Sequence, residues 1–302
     1  MNIILFGSTG MLGRYIFSVL NNTNNYNIIA ISREQYDIEK DDNDFSKLFK
    51  IFQHKYKLNA NDVIINSVGI IPQKYDIHDL NYHNMYIKIN TIFPHKLNEI
   101  SKKNNLKFIH ITTDCVFNGI SGNYDETSIN KNNNINNKDI YSITKLSGEP
   151  KDATIIRTSI IGEEINNNMN NNNSLLKWVI SNKNKEINGY KNHLWNGVTC
   201  LTLANIIKEI IDKNKYWVGV RHFFSPDIIS KYDLCNLINK IYELDITINP
   251  VKCSISKNMT LNTIYLNQNY LPIYNIEEQI REQKLYNIEE KIREYNYIKY
   301  NT

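Results

Sequence analysis

A chain of 302 residues with 41% apolar and 22% charged side chains can bury one large or two modest cores, which excludes a disordered or fibrous protein. Its 35 Lys and Arg against 31 Asp and Glu leave a formal charge of +4, too small and too evenly spread to imply a nucleic-acid or membrane partner. The longest apolar stretches, Ile3 to Phe6 and Val63 to Ile71, fall far short of the ~18 residues of a membrane span. Met1 runs straight into a strand-like segment, and Cys115, Cys200, Cys235 and Cys253 form no C-x-x-C pair. A cytoplasmic protein with reduced thiols and no metal site is therefore expected.

Asn and Ile occur 49 times each, which a strongly AT-rich genome explains better than function does. The dense runs Asn130 to Asn137 and Asn166 to Asn173 are read as polar loops. In chain order, residues 2 to 6 predict a buried strand, followed by Gly7, Gly10 and Gly13 and then by Tyr15, Ile16, Val19 and Leu20 at helical spacing. Strands are predicted at Ile28 to Ile31, Val63 to Asn66, Lys107 to Ile111 and Thr154 to Thr158. Helices are predicted at Phe45 to Tyr56, Tyr82 to Lys103 and Tyr141 to Glu149. This alternation predicts an α/β protein, a Rossmann-type doubly wound parallel sheet with ligands at the carboxyl ends of its strands. Helices at Leu201 to Lys213 and Lys231 to Tyr242 and a short strand around Arg221 to Phe224 follow. The division expected is 1–160 for nucleotide binding and 161–302 for a smaller substrate lobe. At the C-terminus YNIEEQIRE (Tyr274 to Glu282) recurs as YNIEEKIRE (Tyr286 to Glu294), read as a helical, solvated tail.

Three of the 11 glycines fall within G-S-T-G-M-L-G, Gly7 to Gly13. Glycines there permit a tight turn and let backbone N–H groups approach a pyrophosphate at the positive end of the next helix. At the end of the second strand Ser32-Arg33 stands where an acid for a ribose hydroxyl is usual, and a guanidinium suits a 2′-phosphate, so NADP(H) is favoured over NAD(H). Tyr141 and Lys145 lie one helical turn apart, and of several such pairs this one follows a strand ending in Thr112-Thr113. There a lysine can hold the ribose and lower the tyrosine pKa, so that the phenol protonates a carbonyl oxygen during hydride transfer while Thr113 hydrogen-bonds that oxygen.

In these residues the sequence resembles the extended short-chain dehydrogenase/reductases, and among them the dTDP-4-dehydrorhamnose reductase family. The resemblance runs from the glycine turn through Asn66-Ser67-Val68-Gly69, Asn90, Thr112 to Phe117, Tyr141 to Glu149 and Arg157-Thr158-Ser159. It implies a catalytic trio of Thr113, Tyr141 and Lys145 and a cofactor site at Gly7, Thr9, Gly10, Met11, Leu12, Gly13, Arg33, Asp37, Ile38, Asn66, Ser67 and Val68. It implies substrate contacts at Asn90, Thr113 and Asp114, and Lys177 is a further substrate-binding candidate that no motif fixes. The reaction implied is NADPH-dependent reduction of a nucleotide-linked 4-keto-6-deoxyhexose, with a homodimer left open. Ser256 to Leu261 (SKNMTL) replaces the arginine- and proline-containing substrate segment of that family.

Cys115 stands where the reductases usually have Tyr, and resembles the cysteine of bifunctional 3,5-epimerase/4-reductases. A thiol can exchange protons acidified by a C4 carbonyl, with Lys177 or His193 as partner. The plainer reading of Cys115 is a packed thiol. Two other functions are weighed. One is a non-catalytic subunit like the regulatory beta subunit of methionine adenosyltransferase, against which the intact trio speaks. The other is a 4,6-dehydratase, disfavoured because no Glu follows Asp114.

Overall fold

The computed structural model describes residues 1–23, 25–40, 45–130, 134–136, 139–163, 174–265 and 273–301, so the Asn166 to Asn173 run lies outside the described residues. Its first half comprises β1 (Asn2–Phe6), α1 (Met11–Asn21), β2 (Asn27–Ile31), α2 (Ser46–Lys55), β3 (Val63–Asn66), α3 (His83–Tyr86), α4 (Phe93–Lys103), β4 (Lys107–Thr113), α5 (Ile140–Ser147) and β5 (Thr154–Thr158). The second half comprises β6 (Ile160–Ile161), α6 (Leu175–Ser181), β7 (Glu186–Tyr190), β8 (His193–Trp195), β9 (Val198–Thr199), α7 (Cys200–Asp212) and β10 (Gly219–His222). It continues with β11 (Ile229–Ser230), α8 (Lys231–Tyr242), β12 (Thr247–Val251), β13 (Lys257–Asn258) and α9 (Ile276–Asn301).

Six parallel strands form the main sheet in the order β2-β1-β3-β4-β5-β10. Side chains of β1 alternate between its faces, as the two-residue period of a strand requires. Ile3 and Leu5 pack with Tyr15, Ile16, Leu203 and Ile207 under α1 and α7, while Ile4 and Phe6 pack with Phe45, Leu48, Phe93 and Leu97 under α2 and α4. The chain leaves β1 toward β2 on one side and returns to β3 on the other, which opens a crevice at the carboxyl ends of β1 and β3.

Three features depart from the sequence expectations. The helix predicted as one piece from Tyr82 to Lys103 is broken by a π-helical turn at Ile87–Ile92. Pro94 accounts for it, because proline has no N–H for the Asn90 carbonyl four residues earlier and its ring crowds that carbonyl. Residues 200–223 follow residue 160 in the chain, yet α7 packs on α1 and β10 pairs with β5 at the sheet edge. The tail is not solvated along its first half. Ile276, Gln279, Ile280, Gln283 and Asn287 recur at helical spacing and are buried. Gln279 and Gln283 accept from the backbone N–H groups of Thr199 and Leu201, and Asn287 accepts from the Tyr15 hydroxyl at 2.7 Å.

Candidate active site

The glycine turn closes the crevice floor. Gly7 has φ +84°, a left-handed conformation disfavoured for residues with a Cβ, and a Cβ on Gly13 would lie 1.9 Å from the Gly7 carbonyl oxygen. α1 begins at Gly10 with no side-chain cap and no acid in its first turn among the described residues, so its leading N–H groups are left for an anionic ligand. Across the crevice, Ser67 donates its hydroxyl to the Phe6 carbonyl at 2.7 Å, and Asn66 accepts from the Val68 N–H at 3.0 Å. These contacts bind the ends of β1 and β3 into one rim, and the residues fit the pyrophosphate of a dinucleotide. Arg33 lies at the far end of that rim with its side chain 75% exposed, 3.8 Å from Glu39. Asp37 accepts from the Glu39 N–H, and Ile38 packs beside Tyr36 and Val68.

At the carboxyl end of β4 the structure brings Thr113, Asp114, Cys115, Tyr141 and Lys145 together. The Thr113 hydroxyl accepts from the Cys115 N–H at 3.1 Å and donates to Asp114 Oδ1 at 3.2 Å, and the Tyr141 phenol stands beside it. The Cys115 thiol lies 3.7 Å from the same Asp114 oxygen. α5, which carries Tyr141 and Lys145, is capped by Asp139 and docked on the π turn, where the Thr91 hydroxyl donates to the Thr144 carbonyl at 2.8 Å. Lys145 Nζ donates to the Ile111 carbonyl at 3.2 Å, and the Tyr141 ring packs edge-on against Tyr86.

Burial governs the ionisation of these groups. Burial first, then the proximity of Cys115, holds the Tyr141 phenol well above the usual range, with the Thr113 hydrogen bond pulling the other way. In the protein alone burial outweighs every lowering influence, so the phenol stays neutral and ready to donate. Burial lowers the Lys145 ammonium to about 8. It raises the Asp114 carboxyl to about 6, opposed mainly by the charge of Lys231, and burial together with Asp114 pushes the Cys115 thiol up to about 12.

Asn90 plays a different part from the substrate contact expected of it. Its amide accepts from the Ile70 N–H at 3.0 Å and donates to the Ile70 carbonyl at 3.1 Å, so it clamps the loop after β3. The charges acting most on Cys115 are those of Asp114 and Asp139, whereas His193 turns to the Ile255 carbonyl and the Tyr190 ring. Lys177 stands in the first turn of α6, beside the Ser174 cap. The residue that the sequence reading missed is Lys231, at the start of α8, whose charge reaches Asp114 from the second half of the chain. Its place after the helix-capping Ser230 was legible, but not the direction in which it faces.

The RmlD substrate binding domain family model matches residues 1–259. The chain belongs to that family. This agrees with the resemblance read from the sequence and covers the sheet, the crevice and most of the second half. A dTDP-4-dehydrorhamnose reductase of Aggregatibacter actinomycetemcomitans is 28% identical over 244 residues, covering 76% of each chain. Among solved structures, a dTDP-4-dehydrorhamnose reductase of Clostridium acetobutylicum superposes with a TM-score of 0.74 at 22% identity, covering 94% of this chain and 98% of its own. The dTDP-4-dehydrorhamnose reductase of Bacillus anthracis, solved in complex with NADP, gives a TM-score of 0.74 at 19% identity with the same coverage. Both share the α/β fold of this RmlD-family chain. The segment Ser256 to Leu261 includes β13, which pairs with β8, and Leu261, which is buried and held by both ends of the Asn196 amide.

Proposed function

We propose that the chain is an NADPH-dependent reductase of a nucleotide-linked 4-keto-6-deoxyhexose, of the dTDP- or UDP-4-dehydrorhamnose type, in deoxysugar nucleotide biosynthesis. The observation that carries this reading is the meeting of the Thr113 hydroxyl, the neutral Tyr141 phenol and Lys145 at one strand end beside the glycine turn. NADPH, when bound, supplies the hydride. The first turn of α1 would take its pyrophosphate, Arg33 its 2′-phosphate and Lys145 its ribose. Tyr141 delivers the proton to the C4 oxygen as charge develops there, and Lys145, with spare N–H donors, stabilises the phenolate left behind. Asn90 keeps the loop after β3 in place. Incubation with NADPH and dTDP- or UDP-4-keto-6-deoxyhexoses should oxidise the cofactor and yield the reduced sugar. Absence of turnover with all of them would favour a non-catalytic binding subunit.

The cofactor choice is tested at Arg33. The unchanged protein should bind NADPH at least about tenfold more tightly than NADH, and Arg33→Asp should abolish that preference by removing a phosphate partner and adding a like charge. Equal affinities in the unchanged protein, measured by fluorescence titration, would remove Arg33 from the site.

A second reading, prior 3,5-epimerisation, is favoured by one observation, the Cys115 thiol beside Asp114 at the same strand end. A thiol raised to about 12 holds its proton at neutral pH and suits an acid, which returns a proton to C3 or C5 of an enolate formed by another group. Without NADPH the protein should incorporate solvent deuterium into the 4-keto-6-deoxyglucose nucleotide, and Cys115→Ala should suppress this while sparing reduction of a pre-epimerised substrate. Undiminished exchange in Cys115→Ala would assign the acid elsewhere.

A further inference from the structure

The strand end of β4 faces a second wall. Ser230 caps α8, its hydroxyl accepting from the Asp233 N–H at 3.0 Å, and this sets the position of Lys231 in the first turn. β11 pairs with β8, so that Ile229 lies opposite Trp195 and the start of α8 is tied to the tryptophan. Lys231 Nζ lies 4.9 Å from the centre of the Trp195 ring. Trp195 Nε1 donates to Ser159 Oγ at 2.7 Å, and Ser159 directly follows Thr158, which lies opposite Thr113 in the pairing of β4 with β5. The indole is thus fixed between α8 and the end of β5, next to the Thr113 strand end.

Lys231 itself is half-buried and forms neither a hydrogen bond nor a salt bridge among the described residues. The groups that bear on it are Asp114 from the end of β4, Cys235 one turn along α8 and Cys115. A partly desolvated ammonium with unused donors is unfavourable, because the face of an aromatic ring replaces only part of its hydration. A ligand that offers neutral oxygens would offset that cost. A hexose does so, with an apolar ring face for an indole and hydroxyls that accept from an ammonium on one side and donate to a carboxylate on the other.

We propose that Lys231 is a specificity-determining residue for the hexose: steadied on Trp195, its ammonium donates to a ring hydroxyl across from Asp114. The proposal rests on the sugar-nucleotide reading above, and it assigns the recognition of the sugar, as distinct from the nucleotide, to α8. It also accounts for the separation of tasks in the cleft, where Thr113 and Tyr141 address the carbonyl and Lys231 addresses the ring that carries it.

Calorimetric titration of the NADPH-loaded protein with UDP and dTDP, and with UDP-glucose and dTDP-glucose, tests the assignment without requiring turnover. In the unchanged protein the glucose moiety should add to the affinity of the nucleoside diphosphate. In Lys231→Met that gain should fall by about tenfold while affinity for the nucleoside diphosphates and for NADPH stays unchanged, and Lys231→Arg should restore most of it. Retained NADPH binding shows that each variant is folded. A sugar-dependent gain that is the same in Lys231→Met as in the unchanged protein would overturn the proposal alone. Failure of the unchanged protein to bind any of these nucleotides would overturn the sugar-nucleotide reading together with it.

Discussion

Tyr141→Phe is expected to bind NADPH within about twofold of the unchanged protein and to reduce a 4-keto sugar nucleotide about 10² to 10⁴ times more slowly, the usual worth of a positioned proton donor. The substitution removes one oxygen and keeps the ring, so the edge-on packing against Tyr86 and the docking of α5 on the π turn persist. What is lost is the neutral phenol beside Thr113 at the end of β4. Single-turnover kinetics with the cofactor in excess separate the two effects, because binding and hydride transfer are then read from different amplitudes. Undiminished transfer in Tyr141→Phe would take the proton donor away from this residue.

Arg157→Met is expected to destabilise the fold by about 3 to 5 kcal/mol, as breaking a buried ion pair from one side does, and to lower Tm by roughly 10 °C. Arg157 is 1% exposed and forks onto Glu149, with Nε to Oε1 at 3.2 Å and a second nitrogen to Oε2 at 2.6 Å. Its remaining nitrogen donates to His222 Nε2 at 3.0 Å, which requires a neutral imidazole whose Nδ1–H faces the carbonyls of Tyr124 and Asn262. Without the guanidinium, Glu149 is left as an unpaired buried carboxylate one turn beyond Lys145, so α5 loses its anchor on β5. The same network carries a pH dependence. Burial, and then Arg157, hold the His222 pKa below the ordinary 6.5, so below that pH the unfolded chain takes up a proton that the folded one refuses. This stability is complete above pH 6.5 and is lost as the pH falls, and thermal melts across that range would measure it.

Much of the molecule was legible locally. The first strand, the glycine turn and the helix after it are decided by residues adjacent in the chain, and they form as read because each step depends on near-neighbour backbone geometry. Strands Val63 to Asn66 and Thr154 to Thr158 and the helix from Lys231 to Tyr242 also lie where their patterns placed them. The tail shows where such reading stops. Its two copies begin 12 residues apart, and at about 100° per residue a helix turns the second copy about 120° away from the first. Ile276 is therefore buried and its counterpart Ile288 is 46% exposed, although the two copies differ only at Gln279 and Lys291.

By itself, then, the sequence determined the alternation of elements, the glycine turn and the pairing of Tyr141 with Lys145 on one helical face, because all of these arise from contacts within a few residues. Only the tertiary structure decided that the chain returns after residue 160 to complete the sheet with β10, that Asn90 is spent on Ile70, and that Lys231 comes to lie over the Trp195 ring. Those outcomes depend on which faces of distant elements bury each other. A cap such as Ser230 marks where a helix starts, but the side of that helix that enters the cleft is chosen by the packing of Leu234, Ile238 and Ile241 against α6, β7 and α9.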